Sequence, residues 1–376
     1  MLSRRRFTIA CGVGVLGLAA TGCGAPPRPA GGPGSRFEKL VVIGDPDRNG
    51  IFDVSVEYGP DGTGWLAYSR VELPKYVSTH LARSDDRGRS WTYVGAINRS
   101  RDDTITADGR AVSGARRYET PTLVHDPGDD PARHWKLYVE RYVAVPPHRP
   151  DNNLHGDGWI EVKYARRPDG PWSEAVRLFG GPASGSRIDL NRLHPDLGGM
   201  SFYNEIGSIA LDGALYLSLD ASPTPSGLGD WENRKIVLIS SHDHGATWRY
   251  AGTLTDHDDA SDSGYLVLTG SSLVKEGSRL FLLVTPSGAK GLGRRNRGHD
   301  GTWIVEFENI ARARLKRDAA GRLVVLRRIP IDRDTGGLSD YHEQNIHGGI
   351  LFPQIDTRTR PDVFQTYMTG QRIVFP

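Results

Sequence analysis

Three acidic residues stand near the start of three successive strand-like runs of this sequence. Asp53, Glu119 and Glu205 each introduce an apolar run, and a serine, a proline or a glycine follows two positions later. Carboxyl groups that are crowded together raise one another's pKa, so that one stays protonated as an acid while another is ionised as a base. The three residues are therefore candidates for paired acid–base chemistry.

These acids belong to a hairpin pattern that repeats along the chain. Each hairpin has a strand, a tight turn and a second strand of alternating or continuous apolar residues. The five hairpins cover 52–58 with 65–69, 119–124 with 135–139, 205–211 with 215–219, 269–274 with 280–284, and 347–352 with 363–367.

Outer strands complete four of these hairpins. They are expected at 79–83 and 91–97, 159–165 and 172–178, 235–240 and 248–254, and 302–307 and 323–329. The fifth hairpin has three C-terminal strands, and residues 37–43 are left over at the N-terminus. The sequence therefore predicts an all-β propeller of five blades, each with four antiparallel strands, whose ring is closed by the N-terminal strand. Six blades remain an alternative if the long loops contain strands.

Two segments share a turn motif. Residues 84–91 and 241–248 both read Ser-x-Asp-x-Gly-x-(Ser/Thr)-Trp, and 165–172 is a degraded copy. Aspartate and serine oxygens can bond backbone N–H groups in such a turn, glycine takes a positive φ, and tryptophan packs between blades. The motif resembles the Asp box, or BNR repeat, of sialidases and many other propellers. It implies a propeller fold but places no site, since it joins a blade's third and outermost strands.

The long connections predict which face carries a site. In a propeller, the loops that enter the inner strands share a face with those that join second to third strands. The long connections all belong to these two classes: 99–117, 180–201, 256–264, 332–345, 145–158, 221–234 and 286–301. Long loops on a rigid scaffold commonly build binding sites. We therefore expect the site at this axial end, where the three acids start their strands.

With acids on its first three blades, the chain resembles the five-bladed glycosidases of the arabinanase, β-xylosidase and fructosidase type. The resemblance implies hydrolysis of a glycosidic bond, with Asp53 as the base, Glu205 as the acid and Glu119 as the residue that tunes the acid. It also implies that His347 lies near the axis on the fifth blade and binds a central ion. The candidate substrate-binding residues are Tyr203, Asn204, Arg117 and His347. No cofactor is required, and a structural cation such as Ca²⁺ near the axis is left open.

Two other functions are compatible with the same pattern. One is a non-catalytic propeller that binds a glycan or a protein through these loops. The other is an exo-sialidase, which needs three arginines for the sugar carboxylate and a tyrosine nucleophile paired with a glutamate. Candidates are Arg101, Arg117, Arg187, Arg192 and Tyr203 with Glu205. The Phe/Tyr-Arg-Ile-Pro segment of sialidases is absent from the sequence.

The N-terminal residues read as an export signal. Residues 3–7, Ser-Arg-Arg-Arg-Phe, precede an apolar run from 9 to 20, which resembles a twin-arginine signal. Ala-Thr-Gly-Cys at 20–23 resembles a lipobox. These features predict a signal peptide at 1–22, lipidation of Cys23, a flexible tether at 23–36 and a propeller at 37–376. The protein is expected to be exported and lipid-anchored at the bacterial cell envelope, in the periplasm or on the outer surface.

Composition limits the partners. The chain has two cysteines, and the other, Cys11, lies inside the signal, so a disulfide framework is not expected. A formal net charge of +2 over 376 residues offers no broad basic face for nucleic acid. The expected ligand is a glycan or another small extracellular molecule, membrane contact is expected through the lipid alone, and the protein is expected to be a monomer.

Overall fold

The computed structural model describes residues 37–45, 50–107, 109–148, 153–180, 185–224, 230–288, 299–329, 338–346, 349–351, 366–369, 373 and 375. The predicted signal peptide, the tether and Cys23 lie outside these residues, and so does His347. Residues Arg36–Pro376 form one compact unit. Its described residues are mostly in β-strands, and α1 (His257–Ser261) is their one α-helix. No helix in these ranges is long and apolar enough to cross a membrane.

The strands form five sheets that follow one another along the chain. The described part begins with β1 (Phe37–Lys39) and β2 (Val42–Ile43). The first sheet adds to β2 the strands β3 (Ile51–Tyr58), β4 (Gly64–Glu72), β5 (Tyr76–Ser84) and β6 (Trp91–Asn98). The second contains β7 (Arg101–Ala107), β8 (Arg110–His125), β9 (Trp135–Ala144), β10 (Asn153–Ala165), β11 (Val176–Gly180) and β12 (Ile188–Asp189).

The third and fourth sheets have the expected antiparallel order. The third contains β13 (Phe202–Leu211), β14 (Ala214–Ser222), β15 (Lys235–Ser241) and β16 (Arg249–Thr255). The fourth contains β17 (Val267–Glu276), β18 (Arg279–Ser287), β19 (Thr302–Asn309), β20 (Arg314–Leu315) and β21 (Val325–Ile329). The fifth combines β1 with β22 (Ile350–Leu351) and β23 (Tyr367–Thr369). Inner strands β3, β8, β13 and β17 contact one another in that order.

The prediction of five four-stranded blades is wrong for the described residues, which form a propeller-like arrangement with four blades. Most of the residues expected to build the fifth blade lie outside the described ranges, and those described form three short strands. The N-terminal segment expected to close the ring divides into two strands. Phe37 pairs with Thr369 in β23, while Val42 pairs with Trp91 at the outer edge of the first sheet. The first and the last described strands, β1 and β23, therefore belong to the same sheet.

Apolar cores fill the space between neighbouring sheets. Tyr138 and Phe179 of the second sheet meet Trp248 of the third edge to face, with ring centroids 6.3 Å and 5.2 Å from the tryptophan. Such aromatic packing buries a large apolar surface in a fixed geometry. The second inter-sheet core joins the third and fourth sheets around Trp303. These contacts hold each blade at a set angle to the next, and so fix the inner strands around the axis.

The two motif turns have the same hydrogen bonds. In the first, Ser84 Oγ accepts the Gly88 amide at 2.8 Å and Asp86 Oδ1 accepts the Ser90 amide at 2.9 Å. The second repeats the pattern with Ser241, Asp243, Gly245 and Thr247. Both glycines have positive φ, 82° and 90°. The turns therefore satisfy their own backbone donors at the end of the blades opposite the inner-strand starts.

Residues 338–346, here called the strap, connect the fourth sheet to the first. Asp340 Oδ2 accepts the amide of Val56 in β3 at 2.7 Å, and the Tyr341 hydroxyl donates to Glu276 in β17. Both contacts lie on the side of the ring opposite the inner-strand starts. The strap thus spans the gap between the last and first of the four blades.

Candidate active site

Each of the four inner strands contains a β-bulge, near the N-terminal end of β3, β13 and β17 and within the second half of the longer β8. In every one, a residue has a left-handed backbone: Asp53 (φ 44°), Thr120 (φ 51°), Glu205 (φ 50°) and Gly270 (φ 59°). A left-handed conformation is costly for residues other than glycine. Bulges re-aim side chains, and strained positions persist where the surrounding structure holds them, often at functional sites. The repeated bulge therefore marks the axial end that the loop lengths predicted.

The strand register shows which residues are equivalent between blades. The residue before each bulge pairs with the second strand as Phe52↔Ser69, Glu119↔Glu140, Asn204↔Asp220 and Thr269↔Thr285. Asp53 and Glu205 therefore occupy the same position. Their counterpart in the second blade is Thr120, so Glu119 lies one residue earlier than the repeat suggested. All four strands carry the same bulge, so the offset of Glu119 is visible only in the strand register.

Asp53 is buried and has few stabilising partners. Only 3% of its surface is exposed, and its Oδ2 accepts a hydrogen bond from Ser69 Oγ at 3.3 Å. Ser69 Oγ in turn accepts the Thr120 amide at 3.1 Å. Burial raises the pKa of Asp53 well above its ordinary value, and the charges of Glu119 and Glu205 raise it further. The structure thus brings the three predicted carboxyl groups into one electrostatic cluster.

Glu205 is half-buried and is held by the fourth blade. Its Oε2 contacts the Thr269 hydroxyl and accepts the Gly270 amide. Burial raises the pKa of Glu205 to about 7, with the charge of Asp220 as the next cause, while Arg234 and the hydrogen bonds act in the opposite direction. A carboxyl group with a pKa near the working pH suits a general acid.

The partners of Glu205 form a chain of buried polar groups. Arg234 Nε lies 2.9 Å from Asp220 Oδ1, and its Nη2 also contacts Asp220 Oδ2. Thr269 Oγ1 lies 2.5 Å from Asp220 Oδ2 and 3.3 Å from Arg234 Nη2, and it touches Glu205 as well. We call Asp220, Arg234 and Thr269 the relay. It connects a buried ion pair to the half-buried carboxyl group.

The single hydroxyl proton of Thr269 lies between two carboxyl groups, those of Asp220 and Glu205. A threonine hydroxyl has one proton and accepts with its lone pairs. Thr269 Oγ1 touches two carboxyl groups, so it can donate to one of them only. The ion pair with Arg234 assigns the negative charge to Asp220, and the hydroxyl proton satisfies it. Glu205 also accepts the Gly270 amide, and its protonated form is favoured by burial and by the charge of Asp220 rather than by the contact with Thr269.

Glu119 faces the second strand of its blade rather than the relay. Its Oε2 accepts the Tyr142 hydroxyl, which Arg117 Nη1 approaches to 3.4 Å. Arg117 is buried and donates its Nε to the Lys75 carbonyl at 3.1 Å and its Nη2 to the Pro74 carbonyl. The guanidinium predicted to bind substrate is therefore engaged with the backbone of the first blade.

Glu140 is an acid of the same cluster that the sequence analysis did not single out. It is 3% exposed and pairs in register with Glu119. Burial raises the pKa of Glu140 well above its ordinary value, and the charges of Glu119 and Asp220 raise it further. Ionising one carboxyl group in the cluster therefore raises the cost of ionising the next.

The three other predicted substrate-binding residues, Tyr203, Asn204 and His347, do not share one environment. Tyr203 is 5% exposed in the core between the second and third sheets, and its hydroxyl donates to Asn191 Oδ1 at 2.6 Å. Asn204 precedes Glu205 at the bulge. Its Oδ1 is buried and has no hydrogen-bond partner among the described residues. His347, the predicted ion ligand, lies outside the described ranges.

Sequence reasoning missed the relay and Glu140, although a signal for them exists. Asp220 and Glu140 each end a largely apolar run in a second strand, 215–220 and 135–140. An acid at such a position must be buried, and buried acids need partners or a shifted pKa. His299, within the predicted connection 286–301, has its Nδ1 2.6 Å from Ser287 Oγ. Burial lowers the pKa of His299 to about 4, and the charge of Arg234 lowers it further.

The four arginines considered for a sialidase site lie apart from one another, each in different surroundings. The Arg192 side chain is 86% exposed and pairs with Asp189. Arg187 Nη2 donates to the Ala246 carbonyl, in a turn at the far end of the third blade. Arg101 is exposed in β7. With Arg117 bound to carbonyl groups, these four candidates form no arginine triad.

The described residues also do not form a ligand set for a metal ion. No group of three or more His, Cys, Asp or Glu side chains within the described ranges has the arrangement that a metal ion needs. The carboxyl groups of the cluster differ in burial and partners. We therefore derive no step of the chemistry through a cation.

A cavity of about 440 Å³ lies at the opposite end of the inner strands, beside the strap. Its main charged groups are already paired. His342 Nε2 lies 3.2 Å from Glu57 Oε1, and Asp340 accepts the amides of Val56 and Tyr341. One carboxylate with a left-handed backbone, Asp212 (φ 50°), lines this cavity at the turn between β13 and β14, whereas the bulge residues Asp53 and Glu205 lie at the other end. The bulge end remains the candidate active site.

No family model matches the sequence, and no curated protein is significantly similar to it. Solved structures do match the fold. A glycoside hydrolase family 32 β-fructofuranosidase from Bombyx mori aligns with 90% of this chain and 63% of its own, at 12% identity and a TM-score of 0.54. A sucrose-6-phosphate hydrolase from Lactobacillus gasseri aligns with 88% of this chain and 59% of its own, at 12% identity and a TM-score of 0.52.

The chain thus spans about three fifths of the length of these two enzymes. At 12% identity, the likeness concerns the fold and not the chemistry. A microbial sialidase is also similar, with a TM-score of 0.46. The likeness to the two enzymes with TM-scores above 0.5 shows that this chain has a propeller-like fold.

Proposed function

We propose that this protein is a glycoside hydrolase in which Glu205 is the general acid and Asp53 is the base. The observation that carries the proposal is the equivalence of the two residues: both are strained bulge residues at one axial end, in different protonation environments. Glu205 is placed by the relay to hold a proton near neutral pH. The Ser69 hydroxyl and the Thr120 amide lower the pKa of Asp53, whereas burial and the charges of Glu119 and Glu205 raise it, and protonation of Glu205 removes one of those charges.

The proposed reaction transfers two protons. The proton of Glu205 passes to the glycosidic oxygen as the bond between that oxygen and the anomeric carbon breaks. Asp53 accepts a proton from the water molecule that attacks the anomeric carbon. Glu119 interacts electrostatically with Asp53 and so tunes the balance between the acids. The fold likeness to a β-fructofuranosidase and a sucrose-6-phosphate hydrolase supports a sugar as the substrate.

The proposal is tested by an activity screen on diverse aryl glycosides and oligosaccharides. Wild type is compared with Glu205→Gln, which keeps the shape of the side chain and removes its acid. Glu174→Gln is the matched control, because Glu174 is exposed in a loop outside the cluster. Turnover by wild type and by the control, with a loss of at least 100-fold in Glu205→Gln, is expected for a lost general acid. Equal turnover by all three proteins contradicts the assignment.

One observation favours a second candidate, a glycan-binding propeller without catalysis. Asp53 is almost fully buried, which limits the approach of a water molecule to it. A protein of this kind binds sugars at the bulge end and shows no turnover in the same screen. Sugar binding that is equal in wild type and Glu205→Gln, without hydrolysis by either, supports this candidate.

Two further features of the sequence extend the proposal. We propose that the turns 84–91 and 241–248 are Asp boxes, supported by their matching hydrogen bonds. We also propose that the protein is exported by a twin-arginine signal and anchored through a lipid on Cys23, a position outside the described residues. Metabolic labelling with radioactive palmitate tests the anchor. Label in wild type and none in Cys23→Ala is expected, and label in both contradicts it.

A further inference from the structure

Two buried oxygen atoms stand beside the proposed acid and base without a hydrogen-bond partner. They are Thr120 Oγ1 and Asn204 Oδ1, and no donor or acceptor among the described residues reaches either of them. Among the described side chains at the four bulges, these are the two buried polar atoms without a hydrogen-bond partner. Buried polar atoms are nearly always hydrogen-bonded, so each exception needs an explanation.

Thr120 occupies the bulge position of the second blade. It is 5% exposed, and its backbone amide donates to Ser69 Oγ, the hydroxyl group that also contacts Asp53. The position is equivalent to those of Asp53 and Glu205, so its side chain leaves the strand at the same end and from the same strained conformation. A threonine there keeps the strain but supplies no acid. Its hydroxyl oxygen is thus placed next to the proposed base.

Asn204 precedes the proposed acid in the same strand. It pairs in register with Asp220 of the relay, and its Oδ1 is enclosed although the residue as a whole is half-buried. An amide oxygen accepts hydrogen bonds and does not donate them. The missing partner is therefore a donor, while Thr120 Oγ1 can serve as donor or acceptor.

We infer that Thr120 and Asn204 are the specificity-determining residues of the site and recognise hydroxyl groups of the ligand, one beside the base and one beside the acid. The ligand class is a polyhydroxylated molecule that presents a hydroxyl donor to Asn204. The inference rests on the proposed function for the roles of Asp53 and Glu205, but ligand binding can be measured without turnover. A site built to bond a hydroxyl group rejects analogues that lack it, because its own polar atoms stay unpaired.

The test measures binding of D-fructose, L-arabinose, D-xylose and D-galactose by calorimetry. Wild type is expected to bind at least one of them, and Thr120→Val and Asn204→Leu are each expected to weaken that binding at least tenfold. Thr120→Ser, which keeps the hydroxyl group, retains it. Thr106→Val is the matched control at an exposed position of β7. Unchanged affinity in both test variants, or no binding of any of the four sugars, overturns the inference.

Thermal unfolding without sugar separates recognition from a structural role. An oxygen reserved for a ligand is a cost to the free protein, so Thr120→Val and Asn204→Leu should unfold at the same temperature as wild type or higher. A lower unfolding temperature in both variants means that the oxygens serve the fold, and overturns the inference. Wild type is also assayed for turnover in the same preparation. If it binds and no protein hydrolyses a glycoside, the proposed function fails while the recognition by Thr120 and Asn204 stands.

Discussion

Asp53 and Glu205 occupy one equivalent position in two different inner strands, each as the left-handed residue of a β-bulge with φ of 44° and 50°. Their surroundings differ. Asp53 meets a serine hydroxyl and a backbone amide, whereas Glu205 meets the relay with its buried ion pair. Two carboxyl groups in unlike environments are what an acid and a base require.

The first prediction concerns the pH dependence of turnover. A general acid must be protonated, so activity should fall as the pH rises through about 7, the pKa to which Glu205 is raised. The charge of Asp220 is a cause of that raised pKa. Asp220→Asn should therefore shift the alkaline limb of kcat/KM toward lower pH, by about one unit on the scale of a nearby charge. A limb that stays in place contradicts the role of Asp220.

A second prediction concerns stability in the absence of substrate. The folded-state pKa values of Asp53 and Glu205 are raised above 3.8 and 4.5, so ionising them costs more in the folded protein than in the unfolded one. The free energy of unfolding should fall as the pH rises from about 4 to about 7, by a few kcal/mol. The double variant Asp53→Asn, Glu205→Gln should lack most of this slope in urea titrations. An equal slope in both proteins would speak against the raised pKa values.

The relay gives a third prediction. Asp220→Asn leaves the Arg234 guanidinium buried without its counter-ion, which costs about 3–5 kcal/mol. Adding Arg234→Met removes the unpaired charge and should recover part of the loss, whereas two independent sites would give additive losses. Urea denaturation of both single variants and the double variant measures this coupling.

Much of the fold could be predicted because many of its strands are apolar runs that the sequence shows directly. The third strand of the third blade was expected at 235–240 and is found as Lys235–Ser241. Its continuous apolar run, 236–239, packs alternate side chains into the cores on either side of the sheet. Segment 99–117 was expected as a loop but forms the ribbon of β7 and the start of β8. Its residues are mostly polar, and an ion pair between Arg116 and Asp103 holds it where no apolar pattern could indicate it.

Sequence reasoning selected Asp53 and Glu205 as candidate residues, because an acid in an apolar run is conspicuous, but it could not predict their geometry. A bulge is invisible in a single sequence, so Thr120 could not be recognised as their equivalent. Glu205 contacts Thr269 of the relay, which lies 64 positions later in the chain, and only the packing of two blades creates this contact.

A fourth prediction separates the motif turns from the site. Asp86 accepts hydrogen bonds from the Ser84 hydroxyl and from the amide and hydroxyl of Ser90. Asp86→Ala should lower the free energy of unfolding by about 1–2 kcal/mol, as the loss of a capping carboxylate does, and should leave kcat/KM unchanged. Asp85→Ala is the control, because its exposed side chain makes no bond to the turn backbone. A loss of activity in Asp86→Ala would connect this turn to the site.

The central claim is that Glu205 holds a proton near neutral pH, and carbon-13 NMR of the glutamate side-chain carboxyl groups tests it most directly. With glutamate labelled at Cδ, wild type should show a carboxyl signal of Glu205 that titrates with a midpoint near pH 7, in addition to the raised signal of Glu140. The Glu205 signal should be missing from Glu205→Gln and present in Glu174→Gln. If the signal lost in Glu205→Gln titrates below pH 5 in the wild type, Glu205 is ionised at neutral pH and is not the acid.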